Sequence, residues 1–342
     1  MIRGELKNVI RDAVRNNFGN IAIPDFSVEI PENQEHGDYA TNAALVLGKM
    51  LKKDPMEVAK LFIRGLEAGS WKLEAAKPGF INFWLSQEIL NRELAEILKK
   101  KSGYGRGKRQ KEKIQVEFIS ANPTGPLHIG HGRGAFLGDA LASTLSFYGY
   151  KTTREFYIND SKTSTQIREL GRTALGQGRT YLTESLKKKI AKPRGKSKKT
   201  EASEAGYLLA KEVQKDNQRF IEKKLKIKFN SWLSEESLYK KGWTKKIASL
   251  LAKEDATYEK DGAFWLKTAS AGDTEDRVLV RSTGEPTYFY SDLAAHLNKL
   301  SRGFGKIIYI WGADHHGHVA RTKYALKLLR MDGKKLDFII TQ

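Results

Sequence analysis

Cysteine is absent from all 342 residues of the chain. That excludes disulfides, thiolate nucleophiles, iron–sulfur clusters and cysteine-type zinc sites, and it is compatible with a reducing compartment. No run approaches the ~18 consecutive apolar residues of a membrane span. The opening, Met1 to Asn8, carries Arg3, Glu5 and Lys7 and no apolar stretch, so it does not read as a secretory signal. Excess acid is missing too: 40 Asp+Glu stand against 60 Lys+Arg, a net charge of +20. Two readings of that charge stay open, a polyanionic partner such as nucleic acid, or lysine spread over every solvated face. What is present is a folding chain, 40% hydrophobic and 10% aromatic, long enough for two or three domains.

Residues 1–108 read as a small, mildly basic α+β domain. Asp54-Pro55 starts a helix, with the acid as cap and proline at the first helical position, and Val58, Leu61, Phe62 and Leu66 follow at helical spacing. Ala40 to Leu51 reads as another helix and Phe80 to Leu85 as a strand. Lys99 to Lys113, with eight basic residues, one acid and three glycines, reads as an interdomain linker. From there the pattern becomes α/β. A strand over Ile114–Ile119, a glycine-rich turn, a helix through Phe136, Leu141, Leu145 and Tyr148, and a strand over Thr152–Ile158 open a nucleotide-binding parallel sheet. Residues 161–280 interrupt the alternation as a basic insertion holding 27 Lys+Arg against 16 Asp+Glu, with Lys187–Thr200 the most basic part. The sheet pattern resumes over 281–342, with helices at Tyr290–Leu300 and Val319–Leu329 and strands at Ile307–Trp311 and Leu336–Ile340.

The chemistry concentrates in Asn122-Pro-Thr-Gly-Pro-Leu-His-Ile-Gly-His-Gly-Arg-Gly134, between a strand and a helix start. Unpaired N–H groups and the positive end of the helix dipole draw anions there. His128 and His131 fall on one helical face and suit donation to a phosphate in a transition state. The stretch is neither a P-loop, since no Gly-Lys-Ser/Thr closes it, nor a dinucleotide fingerprint, since after Gly132 and Gly134 the third glycine is Gly138, one place late.

His128-Ile129-Gly130-His131 is the HIGH signature of class I aminoacyl-tRNA synthetases, and the string from Val116 to Gly134 closely resembles that of arginyl-tRNA synthetases. Pro31 to Asn42 with Pro78–Asn82 resembles the family's amino-terminal tRNA-contacting domain, and Trp311-Gly-Ala-Asp-His-His-Gly317 its adenosine-contacting turn. The resemblance implies a Rossmann-type catalytic sheet behind that first domain. It implies a cytoplasmic arginine–tRNA ligase, which activates L-arginine with Mg2+-bound ATP and transfers it to the 3′ end of tRNA(Arg), with no further cofactor. Residue by residue, His128, Gly130, His131, Gly312 and Asp314 would hold ATP. Ser120, Ala121 and Asn122 would hold the arginine backbone, with His131 close by, and His315 falls where some members contact substrate with glutamine. Tyr288 and Asp292 would meet the guanidinium, which wants a bidentate carboxylate and a flat aromatic neighbour, and Glu117, at the end of the first strand, joins them as an arginine-binding residue. Carboxylates converging on a pocket demand a cationic ligand. Asp314, His315, His316 and His318 are read as parts of the turn rather than as a metal cluster.

The family's second signature, a Lys-Met-Ser-Lys-Ser-like loop, would follow Leu336–Ile340, where the sequence ends at Gln342; Lys196-Ser-Lys198 lies in the insertion and is no substitute. The expectation is therefore a front part of such an enzyme, binding arginine and ATP with weak activation. A monomer is the default, since no apolar oligomer seam is evident. Competing readings are another class I synthetase or nucleotidyltransferase, and a non-catalytic tRNA-binding fragment.

Overall fold

The computed structural model describes residues 2–21, 24–66, 71–191 and 201–341. Contacts divide it into two compact units, 1–106 and 107–342.

The first unit comprises α1 (Ile2–Phe18), β1 (Val28–Glu29), β2 (Tyr39–Thr41), α2 (Ala43–Leu51), α3 (Pro55–Leu66), β3 (Trp71–Ala76), β4 (Phe80–Leu85) and α4 (Gln87–Lys100). Its antiparallel sheet runs β1-β2-β4-β3. Ile2, Leu6, Ile10, Ala13 and Val14 recur at helical spacing in α1 and are buried with Phe62, Ile81 and Phe83. Asp54 caps α3 by accepting from the Met56 N–H at 3.1 Å. The helix expected from Ala40 starts later, at Ala43, because residues 39–41 pair with β4 instead.

The second unit holds β5 (Lys113–Glu117), α5 (Ile129–Phe147), β6 (Lys151–Ile158), α6 (Thr165–Ala174), α7 (Glu184–Ile190), α8 (Ala202–Phe220), β7 (Ser231–Ser234), α9 (Glu235–Lys240) and α10 (Trp243–Lys253). It continues with β8 (Thr257–Lys260), β9 (Ala263–Leu266), α11 (Thr268–Ala271), β10 (Arg277–Val280), α12 (Tyr288–Ser301), β11 (Lys306–Gly312), α13 (His316–Leu328) and β12 (Leu336–Thr341). Five strands form an all-parallel sheet in the order β12-β11-β5-β6-β7. Strand order reverses between β5 and β11, and such a switch point opens a crevice at the carboxyl ends of the strands. Gly138 has a packing role there: a Cβ on it would stand 2.2 Å from Phe118 Cγ, so only glycine lets α5 lie this close to the end of β5.

The region expected as an insertion, 161–280, is more integrated than its composition implies. It supplies β7, whose Trp232 pairs with Phe156 in the main sheet. It also carries an antiparallel sheet, β10-β9-β8, and shares one apolar core with α12 and α13 through Leu238, Ile247, Leu266, Leu279, Leu293 and Ala325. The basic run begins in helix α7, and 192–200 lies outside the described residues. α12 starts at Tyr288 rather than Tyr290, which puts Asp292 in its second turn, not its first, and one turn beyond Tyr288.

Candidate active site at the switch point

On one side of β5, the histidine motif forms the first turn of α5. His128 is the N-cap: its Nδ1 accepts from the Gly130 N–H at 3.2 Å, and His131 Nδ1 accepts from the His128 N–H at 3.2 Å. Each Nδ1 is thus an acceptor, which puts the proton of a neutral ring on Nε2. The rings lie 3.8 Å apart between centroids. Burial, with His128 as neighbour, holds His131 below the usual histidine range, so it donates as a neutral group. Beside them is a cavity of about 560 Å³ lined by Ile129, Gly130, Gly132, Arg133, Phe136, Gly312, Ala313 and Thr341. A Cβ added at Gly132 would meet nothing within 4 Å, so that position stands in open space. Sequence-distant Gly130 and Gly312 thus share one cavity wall. The turn Ala313–His315, which contains Asp314, closes the end of β11, and the His315 ring lies 5.7 Å from Trp311 and 5.4 Å from His318. Among the described residues no group of three His, Cys, Asp or Glu could hold a metal ion.

On the other side, the expected strand to Ile119 stops at Glu117, because Ile119 and Ser120 turn left-handed, with φ of 67° and 42°. That conformation is costly for a β-branched residue and marks a constrained turn. It swings Ser120 Oγ between two partners: it donates to Glu117 at 3.2 Å and accepts from the Tyr157 N–H at 3.1 Å. Asn159 Nδ2 donates to Asn122 Oδ1 at 2.8 Å and reaches the Ser120 carbonyl, tying the two positions together; Ala121 between them is buried.

The carboxylates differ from the sequence expectation. Glu117 is not open to the pocket; it is 4% exposed and ion-paired with the buried Lys299 of α12. Burial raises its carboxyl above the usual carboxylate range, against the pull of Lys299, and Lys299, with carboxylates on both sides, keeps its proton. Asp292 is half-buried, and among the described residues no hydrogen bond or ion pair reaches its carboxylate. Burial, and Glu117 close by, push it up to about 7. Glu235, at the start of α9, is likewise driven to about 7 by burial, with Asp292 adding repulsion. Its Oε2 and the Tyr157 hydroxyl are buried without hydrogen-bond partners. Tyr288 is 42% exposed and its hydroxyl lies 3.1 Å from Ser164 Oγ. A cavity of about 10 Å³, lined by Thr163, Ser164, Glu235, Tyr288 and Ser291 among others, leaves room for about one water. Sequence reasoning missed Tyr157, Asn159, Glu235 and Lys299. Only a polar Asn159-Asp160-Ser161 after an apolar strand could have flagged any of them.

A five-stranded parallel sheet with a histidine-capped helix at its switch point defines the catalytic fold of a class I aminoacyl-tRNA synthetase. The family profile for the "Arginyl tRNA synthetase N terminal domain" matches residues 4–85, and that for "tRNA synthetases class I (R), catalytic domain" matches 93–168. The chain is 40% identical to an arginine–tRNA ligase of Moorella thermoacetica, over 94% of this chain and 61% of that one, and 41% identical to one of Citrifermentans bemidjiense, over 94% and 62%. Its fold superposes on an arginyl-tRNA synthetase of Plasmodium falciparum with a TM-score of 0.73 at 19% identity, covering 99% of this chain and 64% of that one. The chain belongs to the arginyl-tRNA synthetase family. It spans about 61% of the length of these curated relatives.

Proposed function

We propose that this chain carries the arginine- and ATP-binding machinery of an arginine–tRNA ligase. The carrying observation is Asp292: a half-buried carboxylate with no cationic partner among the described residues, one helical turn from an exposed tyrosine. An uncompensated acid in such a place calls for a cationic ligand, and a guanidinium meets both a carboxylate and an aromatic face. Glu235 Oε2 and the Tyr157 hydroxyl offer further unpaired atoms. Ser120, Ala121 and Asn122 would hold the amino-acid backbone.

On the other side, His128 and His131 would donate through Nε2 to the phosphates of ATP, entering as its magnesium complex. Gly130, Gly132 and Gly312 would admit the nucleotide close to the backbone, and the turn at Asp314 and His315 would meet the ribose and the substrate. The arginine carboxylate would attack the α-phosphorus in line, giving arginyl-adenylate and pyrophosphate. A terminal ribose hydroxyl of tRNA(Arg) would then take the arginyl group. Positioning and charge neutralisation carry the first step. The first unit would contact tRNA, a reading supported by its match to the family's N-terminal domain; a cytoplasmic monomer goes with this reading.

Calorimetric titration with arginine in the presence of a non-hydrolysable ATP analogue tests it. Arginine binds and lysine does not, because lysine leaves Asp292 incompletely hydrogen-bonded, and sites built that way reject analogues by ~10⁴ or more. Equal binding of both, or of neither, refutes the reading.

A further inference from the structure

Below the unpaired Asp292 lies a buried charge network that no step above uses. Lys299, seven residues and two turns along α12, is 2% exposed. It is ion-paired with Glu117 and lies 3.7 Å from Glu155, itself fully buried. Its ammonium stands over the rings of Tyr309, at 4.6 Å, and Tyr157, at 5.4 Å. Glu155 has its own cation, Arg302, and accepts from Gln115 and Ser231 at 2.7 Å each. His296 faces the same group: its Nδ1 lies 2.7 Å from the Tyr309 hydroxyl, and burial with Lys299 nearby drives it down to about 3, so it brings no charge.

Glu117 and Glu155 are matched by Lys299 and Arg302, while among the described residues Asp292 and Glu235 form no ion pair. A buried ion pair of this kind is weak evidence for stability, since well-packed apolar residues often do as well. It does decide which acid is left over. Without Lys299, Glu117 and Asp292 would be two neighbouring acids competing for one ligand cation, and one would stay protonated.

We propose that Lys299 is a positioning residue of the candidate amino-acid pocket: it neutralises Glu117 from below and reserves Asp292 as the acid that a guanidinium meets. Glu117, held this way, in turn accepts from the Ser120 hydroxyl and fixes the strained turn that carries Ser120. The proposal rests on the arginine reading and deepens it.

The facing groups that bear on Asp292 are Glu117 from β5, Glu235 from α9, and Lys299 on its own helix. Arg302 serves Glu155 and does not touch Asp292, which makes it the control. The test is the pH dependence of arginine binding by the whole chain, measured by calorimetry with Lys299→Met and Arg302→Met. Removing a cation beside an acid raises the acid's pKa by about one unit or more. Lys299→Met therefore moves the midpoint of the binding profile up by about one pH unit, and Arg302→Met leaves it in place. Equal shifts in both variants, or none in either, overturn the proposal. Carboxyl carbon resonances of the unaltered chain give a second readout that needs no variant. Asp292 titrates in the neutral range and Glu117 titrates apart from it, and a Glu117 that titrates together with Asp292 also overturns it. If the unaltered chain takes up no arginine, the arginine reading fails instead, whatever the resonances show.

Discussion

The two sides of β5 differ in build, and on the proposed reading they meet opposite charges by opposite means. The histidine side is open, with a cavity of about 560 Å³ walled by glycines and the first turn of α5, beside two rings whose Nδ1 atoms both accept. The carboxylate side is nearly closed, with about 10 Å³ free beside Glu235, and Glu235 and Asp292 are each raised to about 7. The difference follows from solvation. A polyphosphate is met by fixed backbone dipoles and neutral donors, which need no counter-ion of their own. A guanidinium discards its water on entry and needs full charges in a dry place, and these raise their own pKa until it arrives.

The largest expected effect breaks one side alone. Asp292→Ala lowers arginine affinity by ~10³-fold, the scale of an ion left without its buried partner, and leaves binding of an ATP analogue unchanged in calorimetry. The converse is milder. His131→Ala weakens the ATP analogue by ~10-fold or more, the scale of a hydrogen bond to a charged group. It leaves arginine affinity within about twofold, because on the proposed reading the guanidinium is met by Asp292 and Tyr288 of α12. A variant that disabled both ligands equally would abolish the distinction between the sides.

Acidity sharpens the comparison. With Asp292 and Glu235 each raised to about 7, the empty site is partly protonated at neutral pH, and a cation binds the ionised form. Arginine affinity is therefore full above pH 8 and falls through 7 to 6, by about tenfold per pH unit for each linked proton. The sign for folding is the reverse. Acids whose folded values exceed their unfolded ones bind more protons when folded, so the empty chain loses stability as pH rises towards 7. Thermal unfolding from pH 5 to 8, with and without arginine, reads both signs. The smallest effect is structural: Gly138→Ala forces Phe118 aside and costs about 1–3 kcal/mol of stability, typical of overpacking, seen as a lower unfolding temperature.

The same contrast explains what could be read in advance. The histidine side is contiguous in sequence: a strand, a glycine-rich turn and a helix start, so His128, Gly130 and His131 declare themselves. The strand over Phe80–Leu85 and the cap at Asp54 are local too, and each formed where its pattern placed it. The carboxylate side gathers Glu117 from β5, Tyr157 and Asn159 around the end of β6, Glu235 from α9, and Asp292 and Lys299 from α12. No local pattern marks Lys299 as buried, because a lysine seven residues after an acid on a helix ordinarily snorkels to water. Glu117 read as an open acid for the same reason: its partner lies 182 residues away. β7 was hidden inside a basic stretch, since a four-residue strand leaves little periodicity to count.

On the proposed reading the carboxylate side is built for a cation. Its most direct test is the number of protons released when arginine binds at pH 7, obtained from calorimetry in two buffers of different ionisation enthalpy. Asp292 and Glu235, each near half-protonated at that pH, together release about one proton. Arginine binding with no proton release would contradict the account, because the acids that define the site would then already be ionised or lie elsewhere.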